Sequence, residues 1–157
     1  MKIIYLLPLV LLLSSPFLSA KQIIGIYEKV ALPTEGLVLK AKIDSGAKNT
    51  SLHALNIQLF QQNGKQWVSF DTVNGNGEKI SLSAPVHRIA KVKRHNALSQ
   101  KRPVIITGVC LANFLRNVEV NLIDRGRLNY PLLIGRTYLE GTFLIDVSLR
   151  YTTQPNC

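Results

Sequence analysis

Asp44-Ser45-Gly46 is the segment of this chain whose residue types are best suited to chemistry. It directly follows residues 37–43, Leu-Val-Leu-Lys-Ala-Lys-Ile, in which apolar residues recur at every second position, as in a half-buried strand. A carboxylate at the tip of a strand, followed by a hydroxyl and a glycine turn, is how an aspartic-type hydrolytic site presents its acid. The tripeptide alone also fits a simple Asx-type turn, so a second element is needed to support the catalytic interpretation.

The second element is the segment 132–136, Leu-Leu-Ile-Gly-Arg. It predicts a buried strand that ends at Gly135 and leads into a short helix. We expect this helix to begin at residue 136 or 137, to run toward residue 140 and to end at Gly141. The pair of segments predicts an architecture around Asp44 rather than an isolated turn.

Hydrolysis of a peptide bond by carboxylates needs one ionised and one protonated group. Two aspartates about 3 Å apart share a single proton, because both cannot ionise at that distance. The chain has one Asp-Ser-Gly, whereas the segments that begin at Asp71 and Asp146 lack the glycine. An aspartic mechanism therefore predicts a homodimer in which Asp44 meets its own copy across a twofold axis.

Short apolar runs, broken every few residues by Gly, Asn, Pro or Ser, predict a chain made mostly of strands. Asn63-Gly64 and the segment 74–77, Asn-Gly-Asn-Gly, predict hairpin turns, because asparagine and glycine tolerate positive φ. The pattern favours one compact all-β barrel or sandwich with one short C-terminal helix. The predicted strands cover residues 22–30, 36–43, 53–61, 65–73, 78–87, 89–93, 102–110, 114–123, 130–134 and 143–147.

The first 20 of the 157 residues have the layout of a secretory signal peptide. Lys2 precedes the apolar run 3–13, and the small residues that follow predict cleavage after Ala20. The run is short for a helix that crosses a bilayer, although an uncleaved N-terminal anchor stays an alternative. We therefore expect an exported domain, residues 21–157, that is periplasmic or secreted.

The formal net charge is +10, which attracts nucleic acid, anionic lipid head groups or acidic peptides. For an exported protein we expect no nucleic-acid partner, an acidic peptide or protein substrate, and at most transient contact with a membrane surface. The densest basic cluster fits a solvated loop and a contact with an acidic substrate about equally well. It comprises Lys91, Lys93, Arg94, Lys101 and Arg102.

Cys110 and Cys157 are the two cysteines of the chain. Export to an oxidising compartment favours a disulfide within the chain. The sequence leaves two alternatives open, namely a buried thiol at Cys110 and an intermolecular bond at the terminal Cys157.

Other catalytic chemistries find little support in the sequence. The three histidines, His53, His87 and His95, show no His-Glu-x-x-His spacing, and no Cys-x-x-Cys pair is present. There is no Gly-x-Ser-x-Gly elbow, and the glycines at 74–77 are not followed by the Lys-Ser/Thr of a phosphate loop. We expect neither a metal ion nor a cofactor.

The segments 42–47, Lys-Ile-Asp-Ser-Gly-Ala, and 133–136, Leu-Ile-Gly-Arg, resemble the two motifs of the retropepsin-like aspartic peptidases. The chain is similar in particular to a bacterial subfamily historically labelled "putative ATP-dependent zinc protease", which is associated with ATP-grasp enzymes that ligate glutamate. The resemblance implies a retropepsin-like closed β-barrel and an aspartic peptidase activity. It extends over residues 41–53, 102–105, 119–125, 130–139 and 143–146.

The resemblance also implies roles for matching residues. Asp44 would be the catalytic carboxylate, Ser45 would hydrogen-bond across to the partner chain, and Gly46 would allow the turn that exposes the acid. Ala47 would contact the substrate beside them. The turn Asn74-Gly75-Asn76-Gly77 would form a glycine-rich flap that closes over the substrate.

The resemblance also implies supporting roles next to the site for Gly135 and Arg136. Gly135 would pack beside the Asp44 loop. The partner of Arg136 is predicted to be Asp124 or Asp146, because this chain has Lys48 where retroviral proteases place the aspartate that pairs with this arginine.

The leading prediction is an exported, homodimeric aspartic endopeptidase that acts on acidic peptides through Asp44 and its symmetry mate. The alternative is a non-catalytic peptide-binding or accessory module that keeps the barrel without the chemistry. A metallopeptidase, the third hypothesis, would lose its activity in the presence of chelators.

Overall fold

The computed structural model describes residues 20–94 and 97–157. These ranges contain twelve strands, one 3₁₀ turn (Pro33–Glu35) and one short helix, α1 (Arg136–Leu139). The prediction of a mostly-β chain with one short helix near its C-terminus is therefore confirmed. The strands are β1 (Gln22–Gly25), β2 (Tyr27–Leu32), β3 (Leu37–Ile43), β4 (Thr50–His53), β5 (Leu55–Gln62), β6 (Lys65–Val73), β7 (Lys79–Pro85), β8 (Arg88–Arg94), β9 (Ala97–Leu111), β10 (Phe114–Ile123), β11 (Leu132–Ile134) and β12 (Phe143–Asp146).

The strands of the described ranges form three sheets. The main sheet has the order β10-β4-β11-β3-β2-β9-β8, and β9 also pairs with β10, so that the sheet returns on itself. A two-stranded sheet pairs β1 with β12 in parallel, and β5-β6-β7 form an antiparallel meander. Within the main sheet β3 pairs in parallel with β11, and Ile43 lies opposite Ile134. This pairing brings the two predicted motifs together.

The strand before Asp44 alternates between core and solvent. Leu37, Leu39, Ala41 and Ile43 are each at most 5 % exposed, whereas the residues between them are exposed. Burying a large aliphatic side chain stabilises a fold by about 1.5–3 kcal/mol, and a slip of one residue would turn all four side chains to the other face. The register of β3 is therefore well specified, and Asp44 is the first residue beyond it.

Two predicted strands differ from the strands in the structure. The expected strand 22–30 divides at Ile26, because β1 pairs with β12 while β2 turns to pair with β3. The expected strand 53–61 corresponds to β5, which begins two residues later and contains a register shift between Leu55 and Gln58, with Asn56 at a φ of 50°. The preceding strand, β4, was not predicted. The segment 33–35, which was not predicted to be helical, forms the 3₁₀ turn ended by Gly36 at a φ of 66°.

Both predicted hairpin turns are confirmed. Asn63 and Gly64 have φ values of 51° and 72°, as a two-residue turn with positive φ at both positions requires, and they join β5 to β6. The segment 74–77 joins β6 to β7, and Oδ1 of Asn74 accepts hydrogen bonds from the backbone N–H groups of Asn76 and Glu78.

The C-terminal segment is attached to the sheet at two places. Cys110 and Cys157 form a disulfide within the chain, which settles the alternatives left open by the sequence. The buried Glu28 carboxylate accepts hydrogen bonds from the backbone N–H and the hydroxyl of both Thr152 and Thr153. It also accepts a hydrogen bond from the backbone N–H of Gly25 at 2.7 Å.

The predicted signal peptide lies outside the described residues, apart from Ala20. In the part of the chain that the structure describes, no helix has the length and apolar character needed to cross a bilayer.

Candidate active site

Asp44 lies at the carboxyl end of β3, in a turn held by its own carboxylate. Its Oδ1 accepts hydrogen bonds from the backbone N–H groups of Gly46 at 3.0 Å and Ala47 at 3.2 Å. The second oxygen, Oδ2, lies 4.0 Å from the Lys42 amine, and the Asp44 side chain is 27 % exposed. The turn thus fixes one carboxylate oxygen and leaves the other accessible, which suits a group that must contact water or substrate.

Backbone hydrogen bonds attach the Asp44 turn to β11 and to the start of α1. The backbone N–H of Asp44 donates to the Ile134 carbonyl at 3.0 Å, and the N–H of Arg136 donates to the Ala47 carbonyl at 2.9 Å. A Cβ on Gly135 would lie 2.5 Å from the Asn49 carbonyl carbon, closer than real Cβ contacts. Only glycine allows this approach, and Gly135 packs against residues 48–49, which directly follow the Asp44 turn.

Arg136 also contacts the turn, but through a different partner from the predicted one. Its Nη1 donates to the carbonyls of Ser45 at 3.0 Å and Gly46 at 3.1 Å. The prediction of Asp124 or Asp146 as its partner is wrong: Asp124 accepts from the Gly126 N–H, and Asp146 accepts from Ser148. Because the turn offers two carbonyl oxygens within reach, the guanidinium needs no carboxylate there.

A cleft of about 280 Å³ opens beside Asp44. One wall is aromatic, since the rings of Tyr27 and Tyr130 stack with their centroids 4.4 Å apart. Asp44 is the one acidic residue among the residues that line this cleft. They are Tyr27, Lys42, Asp44, Arg125, Leu128, Asn129, Tyr130 and Leu133.

Arg125 is a site residue that the sequence analysis did not single out. It is 8 % exposed, its Nε donates to the Tyr130 carbonyl at 3.1 Å, and its Nη1 donates to the Ser51 hydroxyl at 3.0 Å. Burial lowers its pKa below the usual value, while the charge of Asp44 acts to raise it and that of Arg102 to lower it. Nothing in the residues around Arg125 indicates that it lies near Asp44, because only the folded structure brings the two residues to one cleft.

The turn predicted to be a flap lies away from Asp44 within one chain. A Cβ on Gly75 would lie 2.7 Å from the Val38 carbonyl oxygen, so the turn packs against β3 near its start. Val38 and Asp44 are six residues apart, or about 20 Å at 3.3 Å per residue. A role of residues 74–77 in substrate binding therefore stays a prediction that the contacts of the single chain do not support.

The two histidines in the described part of the chain have different neighbours. His53 is buried, and its Nδ1 accepts a hydrogen bond from the Arg125 backbone N–H at 2.9 Å. Nε2 of His87 lies 3.4 Å from Glu119, and His95 lies outside the described residues. Over residues 20–94 and 97–157, no three His, Cys, Asp or Glu side chains are grouped as a metal site would require.

A family model described as RimB-like, "Retropepsin-like aspartic endopeptidase RimB", matches residues 23–156. The chain belongs to the RimB-like family. A crystal structure of a protein of unknown function from Legionella pneumophila matches with a TM-score of 0.72 and 33 % identity, and covers 86 % of this chain and all of that one. The fold of this RimB-like chain is therefore shared with a solved structure over most of its length.

Curated relatives carry a different name. A probable alpha-L-glutamate ligase of Desulfotalea psychrophila is 34 % identical over 135 residues, and one of Shewanella pealeana is 36 % identical over 132 residues. The matches cover 83 % and 82 % of this chain but 29 % of each relative. The RimB-like chain thus spans less than a third of the length of the relatives it matches.

Proposed function

We propose that this RimB-like chain is an exported aspartic endopeptidase that cleaves peptide bonds in acidic peptides. It works as a homodimer, in which Asp44 and its symmetry mate hold and activate one water molecule. One carboxylate of the pair takes a proton from water while the other, protonated, polarises the scissile carbonyl. Membership of a family described as retropepsin-like supports a peptidase domain. The roles proposed for Asp44, for the dimer and for an acidic substrate are argued from the geometry and the charges of the site.

The observation that carries the proposal is the presentation of Asp44. One of its oxygens is fixed by two backbone N–H groups, while the turn around it is anchored by Gly135 and Arg136. Such preorganisation holds an acid in place without a conformational cost at the moment of reaction. A surface Asx turn would not need this anchoring from a distant strand.

The dimer follows from the number of carboxylates. The cleft of a single chain is lined by one acidic residue, whereas the mechanism needs two that share a proton. Ser45 and Gly46 are exposed beside Asp44, so this part of the turn is accessible to a second copy. A twofold axis at this turn would supply the missing carboxylate from an identical surface.

The charges around the cleft favour an acidic substrate. Lys42 and Arg125 line it, and the charge of Arg102 acts on Arg125 from nearby. Like charges grouped around a cleft raise the local concentration of an oppositely charged ligand. The name of the curated relatives, probable alpha-L-glutamate ligase, is consistent with a substrate that contains glutamate.

The test compares the wild type with Asp44→Asn on a library of acidic peptides. Asparagine keeps the shape of the side chain but cannot exchange the proton, so we expect cleavage to fall by at least about 100-fold. Asp146→Asn is the matched control, because Asp146 is exposed and hydrogen-bonds locally with Ser148. Equal loss in both variants would contradict the assignment of Asp44.

Mixing subunits tests the dimer separately. When wild type and Asp44→Asn are mixed in equal amounts and allowed to exchange, about one quarter of randomly formed dimers keep two Asp44 side chains. We expect the activity per wild-type subunit to fall to about half, whereas a monomeric enzyme would show no change. A monomer in sedimentation that cleaves no peptide of the library would instead favour the non-catalytic binding module.

A further inference from the structure

The Arg125 guanidinium is a buried charge without a carboxylate in contact. At 8 % exposure it makes two described side-chain hydrogen bonds, one to a carbonyl and one to a hydroxyl, both uncharged acceptors. Within residues 20–94 and 97–157, no Asp or Glu oxygen lies within 4.0 Å of it. The charge of Asp44, in the same cleft, acts on Arg125 from a greater distance. Since arginine does not deprotonate in proteins and no carboxylate contacts Arg125, an anion that reached the guanidinium would be bound favourably.

Arg125 lies beside Asp44, the proposed catalytic residue. Arg125 lines the same 280 Å³ cleft as Asp44 and also borders a neighbouring cavity, whose lining includes Gln100, Asp124 and Arg127. Its Nη2 donates to no described atom, although the backbone N–H and two side-chain nitrogens are all engaged. The contacts to Tyr130 and Ser51 therefore hold the guanidinium, and the contact to His53 holds the backbone of Arg125. One donor group of the guanidinium is left unused.

A purely structural role would account for part of these contacts. The bond from Nε to the Tyr130 carbonyl holds the loop that precedes β11, and the bond to Ser51 joins it to β4. Neither bond requires a full positive charge, and neutral donors would satisfy both acceptors at lower desolvation cost. A carboxylate that approaches the guanidinium would use this charge directly, because the planar fork binds carboxylates in a bidentate geometry.

We propose that Arg125 binds the carboxylate of a substrate side chain next to the scissile bond, and so selects an acidic residue at that position. This inference rests on the proposed function, since it assumes that peptides occupy the Asp44 cleft. Within the cleft the stacked rings of Tyr27 and Tyr130 contact the stem of that side chain, while the peptide carbonyl faces Asp44. Arg125 is then a specificity-determining residue, distinct from the acid that performs the chemistry.

The experiment uses pairs of peptides that differ at one position, glutamate in one and glutamine in the other. Wild type, Arg125→Lys and Arg125→Gln are compared for kcat/KM on each pair, and Arg127→Gln is the matched control. Arg127 is a basic residue two positions away that is exposed and does not line the Asp44 cleft. We expect the wild type to prefer glutamate by about 10- to 100-fold, the range that a charge-assisted hydrogen bond supports.

Arg125→Gln should lose this preference, Arg125→Lys should keep part of it because the charge remains without the fork, and Arg127→Gln should keep it in full. Residual cleavage of the glutamine peptide shows that a variant still folds and still performs the chemistry. Unchanged preference for glutamate in Arg125→Gln would overturn the inference while leaving the role of Asp44 intact.

Binding separates this inference from the proposed function. The same peptide pairs, made uncleavable by a reduced peptide bond, are titrated against wild type and Arg125→Lys. The lysine variant retains the buried charge and can therefore be used even if Arg125→Gln does not fold. Tighter binding of the glutamate form by wild type, with a smaller ratio in Arg125→Lys, supports the carboxylate contact whether or not the peptides are cleaved. Equal affinity of wild type for the glutamate and glutamine forms would overturn the carboxylate contact. If wild type bound the glutamate form more tightly but cleaved no peptide, only the proposed function would be contradicted.

Discussion

Replacing Gly135 by alanine should displace the Asp44 turn and lower both stability and peptide cleavage. The added Cβ would lie 2.5 Å and 2.6 Å from the carbonyl carbon and oxygen of Asn49, and 2.7 Å from the carbonyl oxygen of Lys48. Carbon atoms pack at about 3.5 Å, so the segment 48–49 must move by about 1 Å. All three clashing atoms are backbone atoms, so no side-chain rotation relieves the contact.

The displacement would reach Asp44 through short hydrogen bonds. The N–H of Arg136 donates to the Ala47 carbonyl at 2.9 Å, and the N–H of Thr137 donates to the Lys48 carbonyl at 3.1 Å. Overpacking of this kind costs about 1–3 kcal/mol, which corresponds to a Tm lower by about 2–12 °C. A misplacement of about 1 Å at a reacting group can lower kcat/KM by about 100-fold.

Thermal denaturation and a peptide cleavage assay measure the two effects. Gly108→Ala is the matched control: Gly108 is buried in β9, but its added Cβ would meet the flexible end of Leu115 at 3.3 Å. We expect this variant to keep its activity and to change in Tm by less than Gly135→Ala. A Gly135→Ala protein with the Tm and kcat/KM of the wild type would refute the argument that close packing against residues 48–49 positions Asp44.

Two further predictions concern the attachment of the C-terminal segment. Burial acts to raise the pKa of Glu28, but hydrogen bonds from Thr152, Gly25 and Thr153 outweigh it and lower the pKa below its usual value. The ionised Glu28 therefore stabilises the fold above the pKa of about 4.3 in the unfolded chain, and this contribution is lost as the pH falls through the lower folded pKa. Glu28→Gln should be less stable by about 1–3 kcal/mol at pH 7 in urea denaturation, with a shallower loss in acid; an unchanged acid profile would count against this account. Cys157→Ser opens a disulfide with a sequence separation of 47 and should lower the free energy of unfolding by up to about 4 kcal/mol, and reduced wild type should match it.

Several local features of the fold follow from neighbouring residues. The bounds of β6 (Lys65–Val73) and β10 (Phe114–Ile123) agree with the predicted ranges 65–73 and 114–123. In such stretches the alternation of side chains and the flanking turn residues act within a few positions, so the information is contained in the segment itself. The Asn63-Gly64 turn is of the same kind, since its positive φ values are a property of those two residues.

At the candidate site, some features could be predicted from neighbouring residues and others could not. Asp44, its turn and the glycine that packs beneath it are recognisable from residue types along the chain. The partner of Arg136 was not, because the two carbonyls of Ser45 and Gly46 become acceptors only once the turn is folded against α1. A backbone acceptor has no signature in the sequence, so residue types alone indicated the wrong partners, Asp124 and Asp146.

Residue types along the chain were enough to predict that it is mostly β and that Asp44 follows a half-buried strand, and they show a single Asp-Ser-Gly. Which distant groups surround the Asp44 carboxylate depends on how the chain folds. In the folded chain Arg125 and Tyr130 line the Asp44 cleft, the turn at 74–77 packs against the start of β3, and Cys110 is bonded to Cys157. The physical reason is that side-chain periodicity acts over a few residues, whereas strand pairing brings together segments far apart in the chain whose proximity no local pattern records.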